Sequence, residues 1–204
     1  MNILAIGAHP DDIEIGCGGS LIKYREKGDN VFLMILTDGE SGGGREVRRH
    51  EQMDSFKILQ AKELFWGGYS DTKLLLDQKL ICNIENVLHK VKPDFIFVNY
   101  FDDTHQDHRN LAKATISATR YIKNVLFYEV PTTQNFSPNV FVDINDVLND
   151  KIALLKAHGS QVMKTNIEDL SILEIAKSSA NFRGIQGRVK YAEGFVSLRL
   201  FINV

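Results

Sequence analysis

Cysteine is nearly absent. Two residues in 204, Cys17 and Cys82, build no disulfide framework, and the cytoplasm is the expected compartment. Cys17 lies between glycines near the candidate site and has the chemistry of a zinc ligand or nucleophile, but it reads better as a small buried thiol. No apolar stretch approaches the ~20 residues of a membrane span. The short apolar run at the start has no basic region before it and reads as a strand, not a signal peptide. The formal charge of -2 provides no basic field for nucleic acid or anionic lipid. Internal repeats and low-complexity linkers are lacking too, so one domain is expected over residues 1–204.

Apolar and helical segments alternate instead. Asn2 to Gly7, Val31 to Leu36 and Phe95 to Asn99 are short apolar runs of the kind found in buried parallel strands. Glu63 to Trp66, Val125 to Val130, Val140 to Ile144 (an edge) and Ala192 to Phe201 complete the predicted strands, with a loop from Gly67 to Asp71. Helices are predicted over Glu14 to Lys27, Arg45 to Ala61, Leu80 to Val91, Arg109 to Lys123, Asp146 to His158 and Ile167 to Ser179. Phe182 to Val189 reads as irregular. This order predicts an α/β protein, a Rossmann-like three-layer fold with a mostly parallel central sheet. Its active site is expected at the C-terminal strand edge. Gly16-Cys17-Gly18-Gly19 falls inside a helix and lacks a dinucleotide fingerprint, so close helix–sheet packing is its better explanation.

Two clusters carry chemistry. Ala8-His9-Pro10-Asp11-Asp12 follows the first strand, and His105-Gln106-Asp107-His108 follows the strand near residue 97. A neutral imidazole and a carboxylate three residues apart, His9 and Asp12, suit Zn²⁺. Asp11 between them is the natural general base; an isolated Asp-Asp would more simply cap a helix. A catalytic zinc wants three protein ligands, so one of His105 and His108 completes the set. The other polarises the carbonyl or protonates the leaving group, with Asp107 placed to orient it and raise its pKa.

With these motifs the chain resembles the PIG-L/LmbE-like family of zinc-dependent N-deacetylases, which act on N-acetylglucosamine conjugates. Arg48 and Glu51 match its R-x-x-E, Asp71 its loop acid, His158-Gly159-Ser160-Gln161 its H-x-S-Q, and Tyr191-Ala192-Glu193-Gly194-Phe195 its Y-A-E-x-F. The resemblance implies His9, Asp12 and His108 as ligands to one Zn²⁺ and Asp11 as base. It implies His105 as catalytic acid partnered by Asp107, and Arg48 and Asp71 at the sugar; Tyr191 is a further substrate-binding candidate that reads equally well as a packed aromatic. Ile13 displaces the usual acid after H-P-D-D, which leaves Glu14 a secondary role or none. His158 and Gln161 read as structural. The His₂Asp donor set also suits Fe²⁺. The implied partner is a small N-acetylated amino-sugar conjugate, and similar proteins form trimers or hexamers, so a homo-oligomer is expected. Two rival readings are an amidase removing a larger acyl group and a catalytically silent sugar- or nucleotide-binding module.

Overall fold

The computed structural model describes residues 1–202. One 7-stranded sheet runs in the order β3-β2-β1-β4-β5-β7-β6. Its strands are β1 (Asn2–Gly7), β2 (Asn30–Thr37), β3 (Glu63–Tyr69), β4 (Phe95–Asn99), β5 (Val125–Tyr128), β6 (Val140–Asp143) and β7 (Ala192–Arg199). The first five are parallel, while β7 runs antiparallel between β5 and β6. The helices are α1 (Asp12–Glu26), α2 (Arg45–Leu59), α3 (Gln78–Val91), α4 (Gln106–Ala118), α5 (Leu148–Ala157) and α6 (Ile172–Gly187). Among the described residues, no helix is long and apolar enough to cross a membrane.

Continuous apolar strands bury both faces of the sheet. Leu4, Ile6, Met34 and Val98 pack with Leu80 and Ile84 of α3 and Leu111 of α4. Their neighbours Ile3, Ala5, Leu33 and Phe97 point the other way, onto Ile13 and Leu21 of α1 and Leu154 of α5. This period-2 alternation yields three layers from short apolar runs. The chain order reverses between β1 and β4, and both His/Asp clusters emerge there, at the edge where such sheets hold ligands.

Gly16 explains part of the glycine run in α1. A Cβ there would lie 2.0 Å from a ring carbon of Tyr128 on β5, so only glycine lets the helix sit this close to the sheet. Cys17 is fully buried in the same core, and burial pushes its thiol pKa well up, as befits an inert side chain.

Several boundaries differ from expectation. β3 continues through Gly67 and Gly68 to Tyr69, because Thr37 pairs with Tyr69 beyond an irregularity in the ladder. α6 starts at Ile172 rather than Ile167 and runs through the segment expected to be irregular, to Gly187. Its start is set by a capping box: Ser171 Oγ accepts from the Glu174 amide, and Glu174 accepts from the Ser171 amide. α4 begins at Gln106 because His105 is its N-cap, with Nδ1 accepting from the Asp107 amide at 3.2 Å.

Candidate active site

His9, Asp12 and His108 converge. His9 Nδ1 lies 3.2 Å from His108 Nε2 and 3.4 Å from Asp12 Oδ2, and His108 Nε2 lies 3.2 Å from that same oxygen. Donors about 2.0–2.2 Å from a tetrahedral zinc stand roughly 3.3–3.6 Å apart. The triangle therefore fits one such ion, with the two imidazoles and one carboxylate that zinc prefers. Asp12 is the first residue of α1, and its carboxylate also accepts from the His9 amide at 2.9 Å, which ties the strand-to-helix turn together. Burial opposes the charge of Asp12, but the His108 and His9 rings outweigh it and hold the carboxyl well below its usual range.

Carboxylates stand behind both imidazoles. Asp103 Oδ2 lies 3.2 Å from His108 Nδ1, and its Oδ1 accepts from the His105 amide at 2.8 Å. His9 Nε2 faces Asp71 Oδ1 at 2.9 Å and Asp107 Oδ2 at 3.2 Å. Such partners select the imidazole tautomer and raise its basicity toward a metal. Asp12 and Asp103 raise the pKa of His108 to about 9 against the opposing effect of burial.

Asp71 is thus found behind the His9 ring and 6 % exposed, with Oδ2 accepting from the Ser41 amide, rather than at an open sugar subsite. The His9 ring overcomes burial and brings its pKa down to about 2. Asp107 also differs from expectation. Its carboxylate accepts from the amides of Thr72 and Leu74 at 2.8 and 3.2 Å and so anchors the loop after β3, without pairing with His105. Nor is the pKa of His105 raised. Burial and the neighbouring His9 and His108 rings push it below its ordinary value, outweighing the upward push of Asp107. With Nδ1 accepting from a backbone amide, the neutral ring carries its proton on Nε2. Ring nitrogens of His9, His105 and His108 come within 4.8 Å of one another, so His105 borders the donor triangle.

Asp11 caps α1 in the left-handed region, at φ 89°. One face of α2 brackets it. Arg48 Nη1 lies 3.3 Å from Asp11 Oδ2, Arg48 Nη2 donates to the Pro10 carbonyl at 2.6 Å, and Gln52 Oε1 accepts from the Asp11 amide at 3.4 Å. Arg48 is 4 % exposed, so it supports Asp11 and the turn rather than offering a free guanidinium to a sugar. Burial raises the Asp11 pKa, with Arg48 and His158 opposing. Behind Gln52, the buried Glu14 accepts from Gln52 Nε2 at 2.8 Å and Ser55 Oγ at 2.7 Å and lies 3.5 Å from His158 Nε2. Glu14 and His158 are therefore structural partners of the bracket. Glu51 accepts from the Ser160 amide and hydroxyl at 2.6 and 2.8 Å, which joins the R-x-x-E and H-x-S-Q motifs.

Tyr191 is not brought to this cluster. Its amide donates to Asn145 Oδ1, and it lines a hollow with Leu148 and Leu173. Sequence reasoning notes Asp103 only as a neighbour of the His105 cluster and passes over Gln52. The position of Asp103 two residues before His105 was a local signal. Gln52 could have been found from its place four residues after Arg48, on the same helix face.

The PIG-L family profile, GlcNAc-PI de-N-acetylase, matches residues 4–119. The chain is 35% identical over 167 residues to the uncharacterized deacetylase YaiS of Escherichia coli K12, across 78% of this chain and 90% of that one. The solved N,N'-diacetylchitobiose deacetylase of Pyrococcus horikoshii, complexed with its inhibitor MPG, superposes with a TM-score of 0.82 at 27% identity, covering 97% of this chain and 83% of its own. The 4-carboxy-2-hydroxymuconate hydratase of Pseudomonas putida KT2440 superposes at 0.81 with 22% identity, covering 100% of this chain and 99% of its own. That last likeness concerns the fold alone.

Proposed function

The chain belongs to the PIG-L family, and from that membership and its site we propose a metal-dependent N-deacetylase acting on an N-acetylglucosamine-type sugar conjugate. The observation that carries the reading is the parting of two adjacent carboxylates: Asp12 Oδ2 lies 3.2 Å from His108 Nε2 and 3.4 Å from His9 Nδ1, while Asp11 turns to Arg48 at 3.3 Å, and burial pushes the Asp11 pKa up where the two rings hold that of Asp12 down. Environments that push neighbouring acids apart separate a ligand from a base. A silent binding module has no use for that separation.

His9, Asp12 and His108 would hold one ion per chain, and a bound Zn²⁺ polarises an amide carbonyl and lowers the pKa of water. Asp11 takes a proton from the attacking water at a carboxylate with 18% of its side chain exposed. His105, neutral with its proton on Nε2, donates a hydrogen bond to the oxygen that gains charge as the carbonyl carbon becomes tetrahedral. The C–N bond then breaks, and Asp11 returns its proton to the leaving amine, so the two products are the amine and acetic acid, which pass on one proton to become the ammonium and acetate at neutral pH.

The test is acetate release by the zinc-loaded protein across a panel of N-acetylglucosamine conjugates, beside Asp11→Ala. We expect release by the wild type and a loss of ~10²–10⁴ in kcat in a variant that keeps its zinc. Full turnover in the variant, or a variant stripped of metal, overturns the assignment of Asp11. A zinc-loaded wild type that releases no acetate from any conjugate removes the deacetylase reading and favours larger acyl groups.

A further inference from the structure

A buried ion pair sits across the backbone of α1. Glu193 on β7 and Lys151 on α5 are 4 % and 3 % exposed, with Glu193 Oε1 2.6 Å from Lys151 Nζ. Glu193 Oε1 accepts from the Gly19 amide at 2.8 Å, and its Oε2 accepts from the Ser20 amide at 2.7 Å and the Ser20 hydroxyl at 2.6 Å. Lys151 Nζ donates to the Ile15 carbonyl at 2.7 Å. In a regular helix the Gly19 amide bonds to the Ile15 carbonyl. The ion pair thus supplies each partner of that one bond with a charged alternative, an acceptor for the donor and a donor for the acceptor.

The glycines make this approach fit. A Cβ on Gly19 would stand 2.9 Å from Ile144 Cγ2 and 3.1 Å from Glu193 Oε1. On the pair's side of the helix, a cavity of about 410 Å³ is lined by Ile15, Gly16, Lys151 and Glu193. Packing there is incomplete, so charged hydrogen bonds hold this stretch of the helix. α1 is continuous from Asp12 to Glu26, and charged side chains that bond to a helix's own amides and carbonyls constrain the direction of the turn next to them. Here that turn runs from Asp12 to Ile15.

We infer that Lys151 and Glu193 are positioning residues that set the direction of the first turn of α1 and thereby place the Asp12 carboxylate against His9 and His108. The inference rests on the reading of those three residues as a metal site. Stability alone does not account for the pair, since a well-packed apolar replacement of a buried ion pair is often as stable. The pair aims the helix end that carries a ligand and, one residue earlier, the base.

The experiment compares zinc affinity, by competition with a chromophoric chelator, and kcat and KM for acetate release. It uses the wild type, the charge-free double variant Lys151→Met/Glu193→Leu, and the milder Glu193→Gln and Ser20→Ala. A folded double variant is expected to bind zinc about tenfold more weakly. Its kcat is expected to fall on the order of 10²-fold with KM little changed. If the double variant does not fold, Glu193→Gln and Ser20→Ala decide, each expected to weaken zinc binding in a folded protein. Wild-type zinc affinity and kcat in the folded variants overturn the positioning role and leave the metal site standing. A wild type that binds no zinc overturns the metal site itself.

Discussion

Arg48 spans Asp11 and the turn that presents it: one guanidinium nitrogen lies 3.3 Å from Asp11 Oδ2, and the other donates to the Pro10 carbonyl at 2.6 Å. A non-glycine residue in the left-handed region costs about 1–2 kcal/mol. Asp11 keeps φ 89° because Arg48 and Gln52 hold its side chain and amide. This separates two roles for Arg48. As a support for the base, Arg48→Met lowers kcat on the order of 10²-fold with little change in KM. As a sugar ligand, the same change would raise KM and leave kcat. Steady-state kinetics on one active conjugate distinguishes the two, and we expect the first.

Asp103, which sequence reasoning leaves without a role, backs His108 at 3.2 Å and accepts from the His105 amide. Asp103→Ala is expected to weaken zinc binding 10–100-fold. Asp103→Asn, which keeps an acceptor for the amide, should lose less. Equal zinc affinity in Asp103→Ala and wild type would show that His108 needs no such partner.

Zinc uptake should be strongly pH-dependent. Asp12 and Asp103 raise His108 to about 9 in the metal-free protein, against burial, so its ring is protonated at neutral pH. A ligand must be deprotonated to bind, so zinc displaces that proton. Affinity therefore rises with pH toward about 9 and levels off above it, as far as this group is concerned. Calorimetric titration at pH 7 in buffers of different ionisation enthalpy should report proton release. Heats independent of buffer would contradict the raised pKa.

Gly16→Ala tests the packing of α1 against the sheet. The added methyl would lie 2.0 Å from a Tyr128 ring carbon, and the Tyr128 hydroxyl is committed to the Ile6 carbonyl at 2.8 Å. Overpacking of this kind costs about 1–3 kcal/mol or more. Urea unfolding should show that loss, and Gly16→Ala/Tyr128→Leu should recover part of it by making room. A single variant as stable as wild type would mean that α1 is free to move off the sheet.

The convergence of His9, Asp12 and His108 was legible because each of its two halves carries a local signal. His9 and Asp12 sit three residues apart around a helix start, and His108 follows a strand as apolar as β1. The capping box at Ser171 and Glu174 was equally local, and reading it would have corrected the start of α6. The partners of Arg48, Asp71 and Asp107 were not legible. Each carboxylate or guanidinium met a group from another element: Arg48 met the turn after β1, Asp71 the His9 ring, and Asp107 the loop after β3. The last strand, β7, likewise inserted between β5 and β6, which no periodicity along the chain encodes.

By itself, the sequence determined the donor types, their spacing and the alternation of strand and helix, because these depend on side-chain chemistry and on backbone periodicity within a few residues. The tertiary structure decided that Asp12 turns to the His9 and His108 rings while Asp11 turns to Arg48, and that His105 caps α4 through Nδ1. It also decided which polar side chains face outward to a substrate and which are spent on support. Those properties arise from burial and from the charges that distant elements bring within about 3 Å, and a residue's position along the chain does not specify either.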